Sequence, residues 1–233
     1  MFEHITENYR RLREEIAAVC AASGRAPGEV RLMAVTKTVP PEAVNHAIAL
    51  GIDLIGENRV QELSEKRPRL NLDGVEVHLI GHLQTNKVRA VVPGVDCIQS
   101  VDSMHLAREI SAKAEKSGII QPVLAEVNIG EEERKFGFTL QSVASALEEF
   151  ASLPGLRVDG LMTVAPFTRN AGKNCANFIL LHKIFLDINA KKLDNIYMRT
   201  LSMGMSSDFR EAIIAGSTLV RVGSALFGQR VVR

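Results

Sequence analysis

Residues 31–44, RLMAVTKTVPPEAV, hold the unit on which the fold turns. A short apolar run of strand character leads to a polar tip, Thr36-Lys37-Thr38, and Pro40 and Pro41 stand where a helix would begin. Proline suits that place because its missing N–H belongs to the donors that a first helical turn leaves unpaired anyway, and its φ is already helical. Seven further runs of the same kind follow: IDLIGEN (52–58), VEVHLIG (75–81), VDCIQSVDS (95–103), QPVLAEVNIG (121–130), RVDGLMTVA (157–165), YMRTLSMG (197–204) and LVRVGSALFG (219–228). Between most of them apolar residues recur at helical spacing, clearest in Leu140, Val143, Leu147, Phe150 and in Phe178, Leu181, Phe185, Ile188. Strand runs apolar on both faces and alternating with helices predict parallel strands buried between a core and a helical layer.

Eight such units predict an α/β fold, a TIM-like (β/α)8 barrel. An additional N-terminal helix precedes it, with Ile5, Tyr9, Leu12, Ile16 and Val19 on one stripe; it would either cap the bottom of the barrel or meet a partner. The rival, an open doubly wound sheet, lacks its GxGxxG fingerprint, and Gly155 to Gly160 is followed by Leu-Met where a phosphate loop needs Lys-Ser/Thr. Asp159-Gly160 falls inside a strand run instead of between two strands, and Asp208 with Glu211 makes an acidic capping pattern for the last-but-one helix. With no repeat or linker, residues 1–233 read as one domain.

The 233 residues are 46% hydrophobic and 24% charged, which excludes a disordered chain. Twenty-eight basic and 27 acidic side chains leave a net charge of +1, too little to draw the chain to nucleic acid or an anionic membrane, so the expected ligand is small. Cys20, Cys97 and Cys175 are odd in number and scattered, as reduced core thiols are. The opening residues lack a signal peptide's apolar stretch, and no run is long enough to span a bilayer. The expected location is cytoplasmic.

In a barrel of this kind the chemistry sits where the strands end. Lys37 closes the apolar run AVTK, which would carry an amine into a closed environment; burial disfavours the charged form and leaves more of the neutral amine that attacks a carbonyl. Read alone, it is more often a surface lysine that merely ends a strand. The loops after the last two strands, SMGMSSD and GSALFG, place glycine and serine where backbone N–H groups and hydroxyls could surround an anion, although Gly204 and Gly223 would also serve tight turns. Arg221 lies two residues before Gly223, on the same strand face, so that if Gly223 faces the anion Arg221 points into the barrel mouth. An interior arginine needs an acceptor: a ligand ring nitrogen, a carboxylate, or a salt bridge to Glu57 or Asp208. An amine, an anion site and an inward arginine together match pyridoxal 5'-phosphate (PLP), which carries an aldehyde, a phosphate and a ring nitrogen.

At these residues the chain resembles the pyridoxal phosphate homeostasis proteins, single barrels similar to the N-terminal domain of alanine racemase. The segments that carry the resemblance are AVTKTVP, IGENRVQE, HLIGHLQTNKVR, SVDS, EVNIGEEERKFGF, GLMTVAP, LSMGMSSDF and VRVGSALFG, in order over most of the chain. The resemblance implies that Lys37 carries PLP as an internal aldimine. It implies also that Ser202, Gly204, Met205, Ser206, Gly223 and Ser224 surround the phosphate, that Arg221 lies near the pyridine nitrogen, and that Asn58 and His82 flank the ring. It further implies a buffering or carrier role in PLP homeostasis, without dedicated catalysis, in a monomer or weak dimer, with PLP-dependent apo-enzymes as possible recipients.

Two alternatives stay open. One is an enzyme using PLP on an amino acid, a racemase or decarboxylase, which needs an acid or base opposite Lys37, either His82 or a residue from a partner chain. The related racemases resemble one another in using a tyrosine for this, and Tyr9 in the opening helix and Tyr197 at the start of a strand do not fit that place. The other is a sugar-phosphate barrel using Lys37 for a substrate Schiff base. His78 and His82 are four apart but lack the third ligand of a metal site, and the cluster EEERKFGF reads as a solvated loop whose Lys135 could be a second amine or a lid contact.

Overall fold

A computed structural model describes residues 2–130, 132, 135–166 and 171–229, with the side chains of 171–173 outside that description. Each of the eight runs coincides with a strand, two of which begin one residue ahead of their run: β1 (Arg31–Val35), β2 (Leu54–Glu57), β3 (Glu76–Leu79), β4 (Cys97–Val101), β5 (Gln121–Glu126), β6 (Leu156–Met162), β7 (Ile196–Ser202) and β8 (Leu219–Val222). They pair in parallel in chain order, and β8 returns to β1, in register from Arg31↔Leu219 to Ala34↔Val222, to close the barrel. Among the described residues the helices are α1 (Glu3–Ala22), α2 (Pro41–Ala49), α3 (Val60–Lys66), α4 (Val88–Val91), α5 (Met104–Lys116), α6 (Val143–Phe150), α7 (Ala171–Lys191), α8 (Phe209–Ile214) and α9 (Ser224–Phe227). Pro41 opens α2, as its sequence position predicts.

Strand alternation sorts the side chains into two layers. Leu32 and Ala34 of β1, Val77 and Leu79 of β3, and Val220 and Val222 of β8 belong to the large core between barrel and helices. That core also holds Phe150, Phe178 and Phe209, each fully buried and each worth about 3–5 kcal/mol against truncation to alanine. The intervening residues point inward and form two small apolar groups, Met33, Leu54, Leu219 with Ile80, and Cys97, Leu124, Met162. His78, Gln99, Ser202 and Arg221 occupy the same inward positions and are all buried. The Asp159-Gly160 pair lies within β6, where the pairing register shifts against both neighbours. Gly160 has φ +152°, and a Cβ there would sit 1.8 Å from the Thr200 carbonyl oxygen, so only glycine allows β7 to approach.

Helix α1 buries Ile5, Leu12, Ile16 and Cys20 against the core and packs on α2, α8 and α9, completing the outer ring beside the last β/α unit. It therefore does not cap the bottom of the barrel. That pole holds a cavity of about 660 Å3 lined by Arg31, Glu76, His78, Asp96, Arg157 and Arg199 among others. Two other expectations are corrected. Cys20 and Cys97 are buried free thiols but Cys175 is only partly buried. The Asp208 side chain does not cap α8; it turns back to other partners, described below. No helix among the described residues is long and apolar enough to cross a membrane.

Candidate cofactor site

Lys37 sits half-buried in the turn between β1 and α2, and its neighbours are clamped from both sides. The Thr36 N–H donates to the Gly56 carbonyl at 3.0 Å, and its hydroxyl donates to Glu57 Oε1 at 2.7 Å. The Thr36 carbonyl accepts from Val39 N–H at 3.0 Å and from Lys66 Nζ at 2.7 Å. Thr38 adopts φ +62°, a left-handed conformation that costs a non-glycine residue about 1–2 kcal/mol, and its N–H donates to Glu62 Oε1 at 2.5 Å. A turn held at this cost and by this many bonds presents Lys37 from a fixed backbone.

Across from it lie the turns after β7 and β8. Gly204 has φ +93°, and a Cβ there would meet Ala212 Cβ at 2.6 Å and Phe209 Cα at 3.0 Å. Its carbonyl accepts from Arg221 N–H at 3.0 Å, which ties the β7 turn to β8. Asp208 Oδ1 accepts from Met205 N–H at 2.6 Å, and Asp208 Oδ2 accepts from Asn174 Nδ2 at 3.2 Å. This side chain thus folds its own loop instead of opening α8, and burial raises its pKa from the usual value. Ser206 Oγ accepts from the N–H groups of Gly223 and Ala225, both at 3.3 Å, joining the two turns.

Arg221 is 3% exposed, yet it forms no ion pair among the described residues: Glu57 is taken by Lys66, and Asp208 by its own loop. Its guanidinium donates to Ser202 Oγ at 2.6 Å and to the Thr163 carbonyl at 2.7 Å. Burial lowers its pKa to about 10, with Glu126 and Asp208 opposing, so it remains a cation at neutral pH.

Lys37, Met205, Ser206, Arg221, Gly223 and Ser224 line one cavity of about 490 Å3 at the C-terminal pole, a volume in the range of small-molecule sites. Val35, Ser207 and Gln229, which the sequence does not single out, complete it. Ser202 and Gly204 stand behind this wall, the former bonded to Arg221 and the latter shaping the turn. Asn58 and His82 do not line it. Asn58 is half-buried, and its enclosed Oδ1 has no hydrogen-bond partner among the described residues. His82 is exposed, with Nδ1 2.9 Å from Asp102 Oδ2, and its ring stacks on Phe136 at 3.6 Å. His78 points the other way, into the lower cavity, so the two histidines share no site.

Of the loop EEERKFGF, Glu131, Glu133 and Arg134 lie outside the described residues; Lys135 pairs with Glu132 at 2.7 Å. At the mouth, burial and then the charge of Asp102 push Glu126 up to about 7, with Arg221 pulling it back.

The cavity's donors suit PLP: an amine, a buried cation without a carboxylate partner, and serine hydroxyls beside a glycine turn. Comparison with known proteins agrees. Residues 3–231 match the family described as "Alanine racemase, N-terminal domain". A pyridoxal phosphate homeostasis protein of Aquifex aeolicus is 39% identical over 224 residues, 96% of this chain and 97% of that one. A solved structure of an unknown protein from Bifidobacterium adolescentis is similar with a TM-score of 0.93 at 37% identity, covering 97% of this chain and 95% of that one. PipY of Synechococcus elongatus, solved with PLP bound, has a TM-score of 0.80 at 33% identity, covering 91% of this chain and 100% of that one. Closed barrel and family match define the class, that of alanine racemase N-terminal-domain barrels. Within this class, the chain belongs to the pyridoxal phosphate homeostasis protein family.

Proposed function

We propose that this chain binds PLP in the C-terminal cavity, holds it covalently at Lys37 Nζ, and serves PLP homeostasis by storing the aldehyde and releasing it to recipient apo-enzymes. The observation that carries this is the shared cavity of Lys37, Arg221 and the two serine-glycine turns. When bound, PLP supplies an aldehyde that condenses reversibly with an amine, losing water, and a ring that withdraws electrons. Ser206, Ser224 and the Gly223 turn offer hydroxyl and N–H donors to the phosphate. Lys37, on its clamped turn, offers the amine from one direction. Arg221, a buried cation, disfavours a proton on a ring nitrogen beside it, which weakens the ring as an electron sink and leaves holding as the main event. Asn58 and His82 would lie further from the ring than the cavity lining.

Catalysis on an amino acid would require an acid or base facing Lys37, and His82, the candidate for that place, is engaged by Asp102 and Phe136 outside the cavity lining. Release to a second amine needs no such group, because exchange of one amine for another breaks no carbon bond. The test is direct. Purified protein is loaded with PLP, its visible spectrum recorded, the complex reduced with borohydride, and the adduct mapped by mass spectrometry. Modification at Lys37, with loss of the band in Lys37→Ala, is expected; an adduct elsewhere, or none, overturns the assignment.

A further inference from the structure

The inward polar side chains form one connected chain through the barrel. Glu76 and His78 line the lower cavity, and Arg221 lines the upper one. Between them, Glu76 Oε2 lies 3.2 Å from His78 Nε2, and His78 Nδ1 lies 2.8 Å from Gln99 Nε2. Ser202 Oγ donates to Gln99 Oε1 at 2.7 Å and accepts from Arg221 at 2.6 Å. His78 is 7% exposed and Gln99 and Ser202 are 0% exposed, beside the two small apolar groups of the barrel interior. Polar groups buried this way cost free energy unless each is bonded, so the chain is held together as a unit.

Its polarity runs one way. An amide N–H2 only donates, so His78 Nδ1 must accept from Gln99, and the ring proton sits on Nε2, facing Glu76. That contact is the largest cause holding the Glu76 carboxyl down at about 2. With Gln99 oriented by His78, its Oε1 takes the single Ser202 hydroxyl proton. The Ser202 oxygen is then left as an acceptor for the guanidinium. Were the Gln99 amide to turn over, its NH2 would face the Ser202 oxygen and the hydroxyl proton would lose its acceptor on Gln99, which changes the order at the guanidinium. The planar guanidinium is thus aimed by an order set at the far pole.

We infer that Gln99 and His78 are positioning residues for Arg221, fixing its guanidinium against the cofactor cavity through Ser202, so that a change at the lower pole of the barrel is read at the upper one. The inference rests on the proposed binding of PLP at Lys37.

The test compares PLP-loaded wild type with Gln99→Met, which keeps length and volume but can bond neither neighbour. Met162→Leu, in the interior apolar group and outside the chain, serves as control. Gln99→Met is expected to form the Lys37 adduct, with a displaced absorption maximum at saturating PLP and affinity for PLP weakened about tenfold, the loss expected for one buried hydrogen bond. Met162→Leu is expected to lose thermal stability with an unmoved spectrum. If Gln99→Met forms the adduct with wild-type spectrum and affinity, or if Met162→Leu moves the spectrum equally, the positioning role is overturned. Should Gln99→Met fail to fold, His78→Leu decides in the same way: a displaced spectrum supports the inference and a wild-type spectrum overturns it. Absence of the adduct from wild type itself overturns the PLP reading, and this inference with it.

Discussion

Lys66 Nζ lies 3.0 Å from Glu57 Oε1 and, with the same ammonium, donates at 2.7 Å to the main-chain carbonyl of Thr36, the residue before Lys37. Glu57 is wholly buried, and its Oε2 has no hydrogen-bond partner among the described residues. The carboxylate therefore depends on Lys66 and the Thr36 hydroxyl for its compensation, and the backbone carrying Lys37 is tied to the same point.

Lys66→Met is expected to leave that carboxylate buried without its cation, at a cost of about 3–5 kcal/mol in urea unfolding. The double variant Lys66→Met with Glu57→Gln is expected to recover part of the loss, since it removes the stranded charge. A double-mutant cycle checks both, and simple additivity of the two single costs would contradict the coupling.

Gly204→Ala places a side chain at φ +93°, against Ala212 and the Phe209 backbone. A loss of about 1–3 kcal/mol is expected, because the left-handed conformation and the close contact both oppose it. Since Arg221 N–H bonds the Gly204 carbonyl, affinity for PLP should fall with stability. Thermal melts beside a PLP titration test this, and unchanged affinity would separate the turn from the site.

Glu126 gives a pH dependence whose sign follows from its environment. Its folded value of about 7 lies above the ordinary carboxylate value of 4.5. The folded state therefore binds this proton more tightly than the unfolded chain. The corresponding stability is complete below about pH 4.5 and is lost as pH rises through 7. Its size is on the order of 3 kcal/mol. Glu126→Gln should abolish this slope and make the cofactor-free protein the more stable one at pH 8. Equal melting curves for wild type and variant at pH 5 and pH 8 would refute it.

Arg221→Gln tests the proposed place of this cation beside the ring. A glutamate there would set a carboxylate against the Thr163 carbonyl, whereas glutamine still donates. The Lys37 adduct is expected to persist in Arg221→Gln, with a changed visible spectrum because a ring nitrogen can then be protonated more easily. An unaltered spectrum would put Arg221 away from the ring.

The barrel was legible in the chain because its signals are local. Each strand shows as a short apolar run, Pro41 marks the start of α2, and period-two alternation separates residues such as Leu32 and Met33. Lys37 and Arg221 stood out for a similar reason: a charge at or near the end of an apolar run is conspicuous. The resemblance carried the phosphate turns, and Met205, Ser206, Gly223 and Ser224 do meet at the cavity.

Ser202 and Gln99 mark the limit. Each is a polar residue in an apolar run, a signal that says only that some partner must exist. Which partner depends on strand tilt and stagger, and hence on closure of β8 onto β1, which sets residues 103 positions apart side by side. Likewise Lys66 shows along the chain only its helical spacing to Glu62, while its hold on Thr36 arises from the packing of α3 beneath the β1 turn. By itself the amino-acid order determined the eight units, their alternation and the two charges at the mouth. Only the closed tertiary structure decided which inward side chains touch, because contacts across a barrel are set by its shear and not by spacing along the chain.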